Sequence, residues 1–358
     1  MDELLQRNKK NHYDFLIVGQ GIAGSTLALT LIKYGYSVCI VDDSNLSTCS
    51  SVAAGIWNPI VFKRLVKSWK ADDIIPVLIN FYKDCEITFN TSLITDRNIL
   101  KVISEKQEED YWLKTAKSDN TYLADEIFLN LKLSNQEIIA SYSKVVQAGN
   151  LNVVEFLAQT KKYITEHHHF LNEVFDFSEF KNLNTHIEYK SIIANQIVFC
   201  EGHLISKNPL FNWIPTKPAK GEVITIKCSE LQLKNDILNK GIFILPLGNH
   251  LFKIGATYRW EDLNDLPTTD ALIELETKLK LVLQLPYEII KHEAGIRPSV
   301  IDRRPVVGMH PDYKNLFVFN GFGTKAVMLA PYFAKQLVDS IKNQSKVDDE
   351  VNPIRFKK

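Results

Sequence analysis

Apolar positions near the start of the chain fall in the order strand, turn, helix, strand. Residues 15–18 form a continuous apolar run, as a strand covered on both faces requires. Residues 22–33 then repeat apolar positions at helical spacing, Gly35 supplies a stop, and residues 38–41 form a second buried strand. From Trp69 to Gln147 the pattern is more charged and mixed, with a helical period over 74–85, a strand-like run over 93–102 and a helix over 109–117. "NLNVVEFLAQTKKYI" predicts an amphipathic helix capped by Asn152, with Val153, Phe156, Leu157 and Ile164 on one face. The triplet His167 to His169 reads as solvated helix surface. Residues 188–193 and 196–200 read as short strands parted at Ala194 and Asn195, and "GEVITIKC", "GIFILP" and "LFKIGATY" add three more. A helix over 269–283, the strand "NLFVF" and the helix "KAVMLAPYFAKQLVDSI" complete the pattern. These elements predict an α/β chain: a discontinuous Rossmann-like domain (12–60, 148–205 and 294–345) interrupted by a mixed, β-sheet-rich second domain (61–147 and 206–293).

Composition narrows the class. The 358 residues are 45% hydrophobic and 23% charged, ordinary for a globular chain and enough for two domains. With 42 basic and 42 acidic side chains, the overall charge recruits neither nucleic acid nor a membrane surface, so small molecules are the expected partners. The five cysteines are scattered and lack metal-binding spacing, which fits reduced thiols and a cytoplasmic location. "MDELLQRNKKNHYD" does not have the basic-then-apolar order of an export signal, and glycines and Lys33 break the one long apolar stretch, so no membrane span is expected.

The first turn carries chemistry. Gly19, Gly21 and Gly24 fit G-x-G-x-x-G between a strand and a helix, and Asp42 ends the second strand about 20 residues on. The first glycine allows the tight turn, the second lets a diphosphate reach the backbone, and the third lets helix and strand pack closely. The helix N-terminus, with Ile22 and Ala23 in its first turn, offers N–H groups and partial positive charge to the phosphates. Asp42 is placed to accept from ribose hydroxyls, with Asp43 as its alternative. The motif does not separate FAD from NAD.

A second glycine turn, "NGFGTKAVMLAP" at 320–331, precedes the closing helix. Gly321 and Gly323 permit close backbone approach, and Thr324 is placed to cap a helix starting near Lys325. Its N-terminus would favour negative charge developing on a bound ring. An ordinary capped helix is the alternative.

Taken in order, the N-terminal "VGQGIAGSTLAL", "SSVAAGIWNP" (50–59), "IVFCEG" (197–202), "KPAKGEVITI" (217–226), "FILPLGNHLFKIGATY" (243–258) and the long stretch from "AGIRPSVID" to "LAP" (294–331) resemble one family. It is the D-amino-acid oxidase, glycine oxidase and sarcosine oxidase family of FAD-dependent enzymes, and the resemblance covers nearly the whole chain. The loop "GFGTKAVMLAP" and "GATY" are equally similar to the flavin domain of the bifunctional tRNA 5-methylaminomethyl-2-thiouridine biosynthesis protein.

The resemblance implies FAD, held without a covalent bond because Gly295 stands where sarcosine oxidases carry the flavin-linking cysteine. It implies Ser50, Ser51, Ala53 and Ala54 beside the diphosphate and flavin, Gly202 near the nucleotide, and Gly321, Phe322, Gly323, Thr324 and Lys325 at the pyrimidine edge. Arg297 matches the arginine that clamps a substrate carboxylate, a role suited to the planar guanidinium fork. A structural ion pair with Asp302 or Glu293 is the alternative. Phe243 replaces a tyrosine that helps hold substrate in glycine oxidases; Trp57 and Tyr258 are candidates for the pocket wall or for core packing. The implied reaction oxidises the C–N bond of a small primary or secondary amine, an amino acid or N-substituted glycine, by hydride transfer to flavin N5. Oxygen or another acceptor then takes the electrons. A tRNA wobble-uridine enzyme that removes a carboxymethyl group is one alternative, against which the zero net charge and the short basic end "RFKK" weigh. A non-catalytic flavin-binding protein is another.

Overall fold

The computed structural model describes residues 12–43, 49–118, 120–131, 133 and 140–357. Its first sheet has a parallel centre in the spatial order His169–Asn172, Val38–Asp42, His12–Val18, Ile192–Phe199 and Leu316–Asn320. The apolar run at 15–18 is buried because helices Ile22–Lys33 and Ala326–Asn343 cover one face, and an aromatic layer around Phe175, Tyr189, Phe199 and Phe211 covers the other. The carboxyl ends at Val18, Asp42, Phe199 and Asn320 come together on one rim, where open parallel sheets place ligands.

The second sheet runs Glu288–Arg297, Ala219–Lys227, Leu251–Gly255, Phe243–Gly248, Ile237–Asn239, Ile94–Ile103, Ala140–Leu151 and Ile56–Trp57. Its pairs are antiparallel except Ile237–Asn239 with Ile94–Ile103. Alternation along these strands sorts side chains between two faces. Leu100, Ile224, Leu238 and Ile244 enter a core with Leu275 and Leu279 of helix Thr269–Lys280. Their neighbours Ile99, Val223, Ile237 and Phe243 face a cavity on the other side. Segments 12–60, 148–205 and 294–345 each contribute a strand or strand end to this second sheet, through Ile56–Trp57, the end of Ala140–Leu151 and the end of Glu288–Arg297. Helix Ala71–Phe89, from the intervening segment, packs on Ala326–Asn343 beside the first sheet.

Four local expectations change. The hairpin turn falls at Lys190 and Ser191, between strands Ile187–Tyr189 and Ile192–Phe199, because Ala194 is fully buried and paired within its strand. The long strand Ala140–Leu151 lies partly in the segment that reads only as charged and mixed. The histidine triplet straddles two elements: the helix ends at His167, and His169 opens a strand with its ring against Tyr13. Thr324 caps nothing: Gly323–Lys325 is a 3₁₀ turn, and helix Ala326–Asn343 starts after Lys325 without a side-chain cap. Asn152 does cap its helix, accepting from the Glu155 N–H. No helix among the described residues is long and apolar enough to cross a membrane.

Candidate active site

A cavity of about 970 Å³ lies between the carboxyl rim of the parallel sheet and the inner face of the second sheet. It is near the top of the roughly 300–1,000 Å³ range of small-molecule sites. At one end the chain leaves Val18 into the glycine turn. Gly19 has φ +101, and a Cβ there would stand 2.6 Å from the Cys200 carbonyl, so turn and neighbouring strand touch backbone to backbone. A Cβ at Gly24 would collide with the Gly19 carbonyl, which fixes the helix against its own turn. Helix Ile22–Lys33 has no side-chain cap; the Ile22 N–H donates to Ser50 Oγ (3.1 Å) from the adjacent short helix Cys49–Val52.

The N–H groups of Ala23 and Gly24 are first-turn donors with no partner inside the helix. Asp42 accepts from the Gln20 N–H (2.9 Å); burial raises its carboxyl above the ordinary value and that hydrogen bond opposes the rise. Beyond the turn stands Glu201, pushed up to about 7 by burial while Asn208 donates to its Oε2 at 2.7 Å. Bare backbone, free helical N–H groups and an acid at the second strand's end fit a dinucleotide, with the diphosphate on the helix and a ribose at Asp42.

Arg297 marks the other end. It lies on the last residue of strand Glu288–Arg297, with its guanidinium over Gly221 of the next strand. Gly221 pairs with Gly295; the guanidinium fills the space over the first and Cys49 packs against the second. Nη1 donates to the carbonyls of Thr257 (3.1 Å) and Lys220 (3.4 Å), and the Tyr258 ring lies 5.1 Å from Cζ. Burial pulls the guanidinium below its ordinary value. The proposed ion-pair partners are engaged elsewhere, Asp302 with Arg355 (2.8 Å) and Glu293 with Lys291 (2.6 Å). Among the described residues no carboxylate pairs with Arg297, so a cation faces the cavity uncompensated. Cys49 is near both Arg297 and Gly295; burial pushes its thiol up to about 11, with the arginine pulling it back.

The cavity gathers most of the residues singled out in the sequence. Gly19, Gly21, Ile22, Ala23 and Asp42 line the turn end; Ser50, Ala53, Ala54 and Gly202 line the middle; Phe243, Arg297, Phe322, Gly323 and Thr324 line the far end. Six are elsewhere. Gly24 serves helix packing, and Ser51 is exposed outside the cavity. Gly321 packs on Val300 and Val306, and Lys325 turns away to donate to Ser68 Oγ (3.0 Å). Trp57 is fully buried in the core against the bare backbone of Gly149, with Nε1 donating to the Gln147 carbonyl (3.1 Å). Tyr258, 41% exposed, supports Arg297 from outside. Sequence reasoning missed Gly221, Glu201 and Asn239; the stretches "KPAKGEVITI" and "IVFCEG" contain the first two, but nothing local marks them as cavity lining. No group of His, Cys, Asp and Glu among the described residues is arranged to hold a metal ion.

Comparison with known proteins agrees with this geometry. The family described as DAO, FAD dependent oxidoreductase, matches residues 14–340. A glycine oxidase from Pseudomonas putida is 28% identical over 138 residues, 38% of this chain and 38% of that protein. A tRNA 5-methylaminomethyl-2-thiouridine biosynthesis bifunctional protein from Leptospira interrogans is 24% identical over 409 residues, 95% of this chain and 60% of that protein. Both matches span less than two thirds of the relative's length. Among solved structures, glycine oxidase from Bacillus cereus superposes with a TM-score of 0.75 at 20% identity, covering 93% of this chain and 96% of that one. Iminodiacetate oxidase from a Chelativorans species gives 0.75 at 15% identity, covering 95% and 99%.

Proposed function

Because the chain belongs to the FAD dependent oxidoreductase family, and is therefore an FAD enzyme, we propose that it oxidises the C–N bond of a small amine bearing a carboxylate, an amino acid or N-substituted glycine. Oxygen or another acceptor takes the electrons, and the reaction is placed in the cytoplasm. The reading is carried by one observation: Arg297 faces the cavity with its guanidinium fixed by two carbonyls and a ring, and with no carboxylate partner among the described residues. A substrate carboxylate supplies the missing charge through two parallel hydrogen bonds.

Bound FAD supplies the hydride acceptor. In the proposed assignment Gly19, Gly21, Ile22 and Ala23 with Ser50 hold its diphosphate, Asp42 its ribose, and Gly323 and Thr324 its ring edge. The neutral Cys49 thiol supports a non-covalent cofactor, since the thiolate is the nucleophilic form. The amine is taken to arrive neutral, so that the chain's part is to orient it and exclude water. Gly221 leaves the room that the guanidinium occupies, and Gly295 the room for Cys49 beside it.

The long match to the tRNA biosynthesis protein supports a second reading, in which the carboxylated amine is the carboxymethylaminomethyl arm of a modified uridine. One experiment addresses both. The purified yellow protein is mixed without oxygen with sarcosine, D- and L-amino acids and the modified nucleoside, and loss of the flavin's visible absorbance is followed. Bleaching by carboxylated amines, with their decarboxylated counterparts inert, is expected. Equal bleaching by amines without a carboxylate refutes the role of Arg297.

A further inference from the structure

The inner face of the second sheet carries a polar group that the proposal above leaves unused. Asn239 ends the short strand Ile237–Asn239 and lines the cavity half-buried. Its side-chain amide makes no hydrogen bond among the described residues, whereas Arg97, Asn98 and Asn150 nearby are all engaged. Its cross-strand partner Lys101 is engaged with Glu108, and the cavity wall beside it is apolar, formed by Ile99, Ile237, Phe243 and Val223. A lone amide in such a wall is the arrangement by which sites fix a ligand's orientation, because the group gains little there unless the ligand completes its hydrogen bonds.

The strand registers place it relative to Arg297. Val223 pairs with Gly255, Gly255 with Phe243, and Phe243 with Asn239, so these four residues form one row across the sheet. Gly221, under the Arg297 guanidinium, is two residues along the first of those strands. Three strand spacings, roughly 14 Å, and that two-residue offset, roughly 7 Å, put about 16 Å between Gly221 and Asn239. The Asn239 side chain and a hydrogen bond at each end fill part of this span, which leaves about 6–8 Å between the two polar ends of a ligand. Gly255 in the middle lets Val223 and the Phe243 ring close over it, 2.8 and 2.9 Å from where its Cβ would stand, and these two side chains form the cavity wall between the two ends.

We propose that Asn239 is a second substrate anchor and that the substrate is an elongated carboxylated amine, its carboxylate on Arg297 and a hydrogen-bonding group such as an amide on Asn239. This rests on the assignment of Arg297 to a carboxylate. Glycine or sarcosine would fill only one end of the site; the enzyme is built for an N-substituted glycine whose arm crosses Val223 and Phe243.

The test uses the FAD-loaded protein and two isosteric ligands, N-(3-carbamoylpropyl)glycine and N-(4-methylpentyl)glycine, which differ only in amide against isopropyl. Binding is read under anaerobic conditions from the perturbed flavin spectrum, and reduction from its bleaching. Wild type should bind the amide ligand at least about tenfold more tightly than its apolar isostere, as expected when a site's buried polar group is left unpaired. Asn239→Leu should reverse that order and Asn239→Ser should shrink it, with FAD content reporting folding in both. An unchanged ratio in either folded variant, or a wild type that prefers the isopropyl ligand, overturns the proposal. A third ligand, 4-(methylamino)butanamide, lacks the carboxylate. If it binds as well as N-(3-carbamoylpropyl)glycine while the Asn239 variants still lose it, Asn239 stands as an anchor and the assignment of Arg297 falls.

Discussion

Replacing Gly221 with alanine tests the carboxylate clamp without touching the arginine. A Cβ at this position would lie within 3.0 Å of Cζ, Nη1 and Nη2 of Arg297, closer than real Cβ atoms approach anything. Gly221 does not have positive φ, so alanine is compatible with its backbone and the guanidinium must give way. Because the displaced atoms end a long flexible side chain, the fold should tolerate the change: the loss of hydrogen bonds to Thr257 and Lys220 is set against a small gain from removing a strand glycine. The melting temperature should fall by no more than about 2–4 °C. Function should not tolerate it. Losing a desolvated, bidentate carboxylate contact costs on the order of 2–5 kcal/mol. That corresponds to a fall of roughly 30- to 5,000-fold in kcat/KM for carboxylated amines. FAD content should be unchanged. The double variant Gly221→Ala, Arg297→Ala should be no worse than Arg297→Ala alone, since both act through one group. Gly221→Ala activity within about threefold of wild type would refute the reasoning, as would equal losses on amines with and without a carboxylate.

Gly21→Val should lose FAD, because the side chain would enter the space between the helix N-terminus and Ser50, whose Oγ lies 3.0 Å from a Cβ there; a variant that folds and keeps its flavin affinity makes this turn purely structural. Glu201 is raised from 4.5 to about 7 in the folded chain, which therefore holds a proton that the unfolded chain releases at lower pH. Its contribution to stability is full below 4.5 and is lost as pH rises through about 7, so Glu201→Gln should flatten the decline seen in chemical unfolding between pH 5 and pH 8, and an equal decline in the variant would contradict the assignment. If the amine reacts in its neutral form, kcat/KM should rise with pH along the amine's own ionisation, and Cys49→Ser should leave that limb in place; a limb that moves with the substitution would make the thiol a participant.

The dinucleotide end was legible because its parts are neighbours in sequence: strand, turn, helix and Asp42 lie within residues 12–42, and local pattern alone arranges them. The substrate end is built from distant strands. Arg297 could be named by resemblance, yet what favours a carboxylate clamp over an ion pair is the glycine at 221, three strands and a helix earlier in sequence, and the diversion of Asp302 and Glu293 to Arg355 and Lys291. Asn239 carries no motif; its meaning comes from its place in a row with Val223, Gly255 and Phe243, and a row exists only after the strands have paired. The glycine loop shows the converse. Gly321 and Gly323 look like cofactor residues, but a Cβ at Gly321 would meet Val300 at 2.7 Å and one at Gly323 would meet Ser299 at 3.1 Å. Contact with the 298–300 segment that follows Arg297 accounts for Gly321, while Gly323 meets that segment and also lines the cavity. The Gly323 N–H donates to the Pro298 carbonyl at 3.1 Å. Shortening the loop's side chains thus serves two ends at once: it brings Phe322 and Thr324 to the cavity, and it ties that wall to Pro298, the residue next to Arg297.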